Sequence, residues 1–126
     1  MIYGIFTGHN NFAYETVKSC ESIIGDQQNY STISNRELSN DEIYEQFEKI
    51  LKTHPDCKEF FIFIDFYGSS ISLPAIKIKQ KTEKETIKLI FGYNLPMVID
   101  FFLHRNKLTG EQLFEKIIDV GKRGIR

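Results

Sequence analysis

Residues 2–11 read Ile2-Tyr3-Gly4-Ile5-Phe6-Thr7-Gly8-His9-Asn10-Asn11, an apolar run that ends on a polar turn. The run 2–6 reads as a buried strand. Thr7, Gly8 and His9 then form the turn that delivers one histidine to the start of a helix. A second run, Phe60-Phe61-Ile62-Phe63-Ile64, stops on Asp65 and is followed by Gly68, Ser69, Ser70 and Ser72. Continuous apolarity of this kind is what a strand covered by helices on both faces requires.

Outward from these two strands, Ala13, Val17, Cys20 and Ile24 recur at helical spacing, with Asn10 or Asn11 as the cap and Gly25 at the end. Residues 29–34 are weakly strand-like through Tyr30, Thr32 and Ile33. Ser39 and Glu42 have the spacing of a capping box. It opens a helix with Ile43, Phe47, Ile50 and Leu51 on one face, and Pro55 ends it. Leu73, Ile76 and Ile78 suggest a third helix, and 86–91 return as a strand. Asn94 caps the next helix, with Pro96 in its first turn and Met97, Val98, Phe101 and Phe102 on its buried stripe. Thr109 and Gln112 form a second capping box, and Leu113, Ile117 and Val120 line a last helix before Gly121. The polar stretches 34–41 and 80–85 read as surface connections.

Strands alternating with helices imply an α/β fold: an open, mainly parallel sheet with helices on both faces and right-handed crossovers. If the strand order is 2-1-3-4, strands one and three are neighbours. A chain of 126 residues fits a single domain over 1–126, long enough to bury roughly two-thirds of its unfolded surface.

Composition narrows the function classes. Sixteen basic residues against seventeen acidic ones leave a net charge of −1, which supplies no electrostatic capture of nucleic acid or of an anionic membrane. Cys20 and Cys57 lie far apart, so neither a zinc motif nor a disulfide framework is indicated. No apolar run approaches the ~20 residues that span a bilayer. The N-terminus lacks a basic, secretory-type start, and a cytoplasmic location is expected. No GxxxxGK[ST] motif is present to cradle a nucleotide.

In open parallel sheets, ligands bind beyond the carboxyl ends of the strands, where the strand order reverses. His9 and Asp65 both fall there. A carboxylate that accepts the Nδ1 proton of an imidazole leaves Nε2 as a free nucleophile. The starts of helices one and three would favour a phosphate-sized dianion, with Ser69, Ser70 and Ser72 adding hydroxyls. The chemistry that suits this set is phosphorylation of His9 at Nε2 without a metal or cofactor. Pattern alone also fits a plainer reading, with His9 as a loop residue and Asp65 as a helix cap. His54 beside Pro55 and His104 beside Arg105 read as surface or cap residues.

Five segments together resemble the IIA component of the mannose-family sugar phosphotransferase system, nearly end to end. They are Thr7-Gly8-His9; Ile23-Ile24-Gly25-Asp26-Gln27; Ile64-Asp65-Phe66-Tyr67-Gly68-Ser69-Ser70; Gly92-Tyr93-Asn94-Leu95-Pro96-Met97; and Val120-Gly121-Lys122-Arg123-Gly124-Ile125. The resemblance implies a phosphotransferase of the mannose, fructose and sorbose group. His9 would accept a phosphoryl group from the phosphohistidine of the carrier HPr and pass it to a IIB partner, which serves the membrane components IIC and IID in carbohydrate uptake. It further implies that Asp65 holds the other ring nitrogen and that Ser70 contacts the phosphoryl group.

The chain also departs from the family pattern. Asn10 stands where the family has glycine, and Ser69 replaces the second glycine of the loop. Ile71, Ser72 and Leu73 replace proline, phenylalanine and asparagine. Asn10 joins Ser69, Ser70 and Ser72 in the candidate phosphate-binding set, while Asn10 and Ser69 crowd the site in ways the family does not. The altered loop after Asp65 motivates an alternative, a regulatory or binding module of the same fold with weak or no phosphotransfer. A receiver-like domain phosphorylated on Asp65 ranks last, because no acidic pair follows strand one to hold Mg²⁺. The sequence ends at Arg126, where the family often continues into a strand exchanged between subunits, so an exchanged-strand homodimer is left open, as is a homodimer through other surfaces.

Overall fold

Glycine at position 4 and phenylalanines at 6, 61, 63 and 101 set the spacing of the central layer. The computed structural model describes residues 1–82 and 86–126. Chain order is β1 (Ile2–Gly8), α1 (Phe12–Ile24), β2 (Tyr30–Ser34), α2 (Asn40–Thr53), β3 (Glu59–Ile64), α3 (Ser72–Lys81), β4 (Ile87–Phe91), α4 (Leu95–His104) and α5 (Gly110–Arg123). The strands form a parallel sheet, as the alternation implies, in the expected order β2-β1-β3-β4.

Register follows from the two-residue period of the strands. Phe6 pairs with Phe63, and Ile5 with Ile62. Phe6, Phe61, Phe63 and Ile90 therefore face one way, where α1, α4 and α5 bring Val17, Phe101, Leu113 and Ile117 against them. Tyr3, Ile5, Phe60, Ile62 and Ile87 face the other way, onto α2 and α3 through Ile43, Phe47, Ala75 and Ile78. Burying a phenylalanine of this layer contributes about 1.5–3 kcal/mol. The Phe6 and Phe63 rings stack with centroids 4.5 Å apart, and the Phe101 ring meets Phe63 edge-on at 5.2 Å. A Cβ at Gly4 would lie 2.8 Å from Phe101, so the missing side chain lets α4 pack onto the strand.

Both capping boxes form as the spacing requires, Ser39 with Glu42 and Thr109 with Gln112. Asn94 caps α4 by accepting the Met97 N–H. Elsewhere the structure shifts the expected boundaries. β1 runs on to Gly8, because its last residues pair with Ile33 and Ser34 of β2. Asn11 stands at the N-cap of α1 but its side chain makes no cap bond, and the side chain of Asn10 turns elsewhere. In α3 the buried residues are Ser72, Pro74, Ala75 and Ile78, the last three in line with Ile71, while Leu73 is 65% exposed. The apolar residues of that segment mislead because Ile71 lies just outside the helix and sets its buried face. α5 does not stop at Gly121 but continues to Arg123. A Cβ there would lie 2.4 Å from the Met97 sulfur, so glycine permits the close approach of α4 and α5. Of the connection expected at 80–85, the first two residues belong to α3 and residues 83–85 lie outside those described.

Candidate functional site

β1 and β3 are hydrogen-bonded neighbours, and their carboxyl ends project His9 and Asp65 from the same edge of the sheet. The strand ends are pinned together by Thr7, whose buried hydroxyl donates to the Phe63 carbonyl at 2.8 Å. Tyr93, in the turn after β4, donates its phenol to the Thr7 carbonyl at 2.9 Å. Burial, reinforced by the negative charge of Asp65, pushes the Tyr93 phenol far up, so it remains a donor at any physiological pH.

The Asp65 carboxylate is committed on both oxygens. Oδ2 accepts the His9 backbone N–H at 3.0 Å and faces His9 Nδ1 at 2.6 Å. Oδ1 accepts the backbone N–H of Phe66 at 3.0 Å. An ionised carboxylate is an acceptor only, so the Nδ1 position carries the proton and Nε2 holds the lone pair. The His9 side chain is 43% exposed while that of Asp65 is 10% exposed, which leaves the ring open to solvent and its orienting group shielded. Phe66 lies against the imidazole, with ring centroids 5.6 Å apart and planes inclined by 25°.

The loop after Asp65 folds as a tight turn in which Ser69 N–H donates to the Phe66 carbonyl. Gly68 has φ +92, the left-handed conformation that favours glycine. Ser69 does not share it, so the turn accepts a serine there without backbone strain. Ser69 and Ser72 are buried with their hydroxyls 3.5 Å apart, whereas Ser70 is exposed between them. Asn10 has φ +52, a conformation that asparagine tolerates better than most residues with a Cβ. Its Oδ1 accepts from the guanidinium of Arg36 at 3.3 Å.

Thr7, Phe66, Tyr93 and Arg36 are the site's neighbours that pattern reading missed. Tyr93 carried a signal, since it lies in a turn after a strand at the same sheet edge. Arg36 carried none, because only the pairing of β1 with β2 brings it there. His54 stacks on Tyr3 with centroids 4.3 Å apart, and His104 sits 3.2 Å from Asp100 on its own helix. Neither joins the site. A groove of about 680 Å³, lined by Asn11, Phe12, Thr16, Tyr93 and Leu95 among others, does not include His9. Among the described residues, no group of three or more His, Cys, Asp or Glu side chains could hold a metal, and no helix is long and apolar enough to cross a membrane.

Comparison with known proteins identifies the fold and the family. No curated protein matches the chain significantly. Among solved structures it is similar to a phosphotransferase system component EIIA from Streptococcus agalactiae (24% identity, TM-score 0.89, covering 100% of this chain and 96% of that one). It is also similar to the mannose/sorbose-specific IIA subunit of Enterococcus faecalis (18% identity, TM-score 0.86, 98% and 92% covered). A third is the PTS IIA protein associated with the fucose utilization operon of Streptococcus pneumoniae (16% identity, TM-score 0.86, 99% and 91% covered). At these identities the likeness is one of fold. The family model described as PTS system fructose IIA component matches residues 4–118. With nearly the whole chain matched and the fold shared, the protein belongs to the family of PTS fructose IIA components.

Proposed function

We propose that this protein is a phosphoryl carrier of a bacterial sugar phosphotransferase system, acting as a single cytoplasmic domain. It takes the group from phospho-HPr onto His9 Nε2 and passes it to a IIB partner that serves membrane components IIC and IID. The observation that carries the reading is the 2.6 Å contact between His9 Nδ1 and Asp65 Oδ2.

The lone pair of Nε2 attacks phosphorus as the donor's P–N bond breaks, and the donor imidazole leaves with the electron pair of that bond. The His9 ring gains positive charge and keeps its Nδ1 proton, which the Asp65 carboxylate stabilises. Transfer to IIB runs the same step in reverse, with His9 as the leaving group. Alignment and charge stabilisation supply most of such a barrier reduction. An open edge supports this chemistry better than a deep cavity, because both donor and acceptor are proteins that must bring a side chain to His9.

The regulatory alternative rests on the altered loop after Asp65, where Ser69 and Ser72 are buried and their hydroxyls withdrawn from the open edge. Incubation with phospho-HPr followed by mass spectrometry separates the two. A single phosphoryl adduct that is labile in acid, stable in base and absent from His9→Ala supports the carrier. The absence of any adduct in the wild type favours the binding module, and an adduct lost in hydroxylamine would move the site to a carboxylate.

A further inference from the structure

We propose that Arg36 is a phosphoryl-binding residue, its guanidinium gripping the oxygens of the group once His9 Nε2 carries it. This rests on the reading of His9 as the acceptor.

The backbone around Arg36 is held beside the site. Asn35 donates its N–H to the Gly8 carbonyl at 3.1 Å, so the chain leaving β2 stays alongside the turn that presents His9. Arg36 N–H donates to the Ser34 hydroxyl at 3.0 Å, and Leu38 N–H to the Asn35 carbonyl at 3.1 Å. Within this closed turn Glu37 takes φ +58, a conformation unusual for a residue with a Cβ. The exposed guanidinium reaches across to Asn10, next in the chain after His9.

Its bonding capacity is almost unspent. Of five N–H donors, one meets Asn10 Oδ1, and among the described residues Arg36 forms no ion pair. The charge at the site calls for such a group. A phosphoryl dianion on an imidazolium beside an ionised Asp65 leaves two uncompensated negative charges, and one guanidinium removes half of them. Planar donors match phosphoryl oxygens better than a point charge does. Asn10 then has a role as the tether that aims Arg36, rather than as a direct ligand.

The test uses two donors. Phosphoramidate is small and has no docking surface. Nε2 of His9 attacks its phosphorus, the P–N bond breaks and ammonia leaves with the electron pair, giving the same phosphohistidine. With Arg36→Ala we expect the phosphorylation rate to fall about three- to tenfold with phosphoramidate and by a similar factor with phospho-HPr, at an unchanged melting temperature. Arg36→Lys should recover part of the rate, and the ³¹P resonance of the phosphohistidine should move in Arg36→Ala. A loss confined to phospho-HPr would make Arg36 a docking residue and overturn the proposal, as would wild-type rates with both donors. Failure of the wild type to accept from either donor would instead overturn the reading of His9.

Discussion

Oδ2 of Asp65 binds both the ring and the main chain of His9, at 2.6 Å to Nδ1 and 3.0 Å to the backbone nitrogen. One oxygen thereby sets the tautomer of the imidazole and the position of the residue that bears it. Removing it should harm chemistry far more than folding. We expect Asp65→Ala to slow phosphorylation by on the order of 10²-fold, the scale of lost proton and orientation control. The freed N–H groups of His9 and Phe66 lie near solvent, so the stability loss should stay near 1–2 kcal/mol. Rapid-quench phosphorylation and thermal melts check both numbers, and a wild-type rate in Asp65→Ala would remove Asp65 from the mechanism.

Tyr93 offers a prediction with a definite pH sign. Its phenol is held protonated by burial and, secondarily, by the charge of Asp65, so its folded pKa lies above the ordinary value of 10.0. The unfolded chain thus releases this proton at lower pH than the native protein does. The contribution to stability is present below about pH 10 and is lost as pH rises beyond it. Tyr93→Phe should flatten that alkaline decline. At neutral pH it should cost about 1–2 kcal/mol, because the buried Thr7 carbonyl loses a donor. Melting curves of the two proteins from pH 7 to 11 provide the comparison.

The sheet was legible because its signals are local. The apolar runs 2–6 and 60–64, two capping boxes and the alternation of elements mark the strands, the helices and the parallel sheet, whose carboxyl edge carries His9 and Asp65. What pattern could not supply depends on cross-strand geometry. Arg36 approaches Asn10 only through the pairing of Gly8 with Ser34, a contact between segments 26 residues apart in sequence. The burial of Ser69 and Ser72 depends on where α3 begins, and its buried face is set by Ile71, a residue ahead of the helix. Three serines in a row of turn residues look alike until the packing sorts them.

Gly4 tests the packing of the central layer independently of the site. An added methyl would lie 2.8 Å from the Phe101 ring and 2.9 Å from that of Phe6. Both rings are fully buried, so neither has free space into which it could swing. Gly4→Ala should therefore destabilise by about 1–3 kcal/mol through overpacking. Denaturant unfolding measures this, and a neutral or stabilising result would mean that α4 can retreat from the sheet.

Asn10 combines backbone conformation and charge placement, and two substitutions separate them. Asn10→Gly relieves the left-handed φ of +52 but removes the oxygen that tethers Arg36. Asn10→Ala removes the same oxygen and keeps a Cβ in a conformation that costs about 1–2 kcal/mol. Stability should therefore diverge, with Asn10→Ala lower than Asn10→Gly by about 1 kcal/mol. Phosphorylation rates should instead fall together, because both variants free Arg36 to the same extent. If the rates track stability, the geometry of the turn governs His9. If they fall in parallel, the tether to Arg36 does, and the asparagine that departs from the family's glycine is a working part of this site.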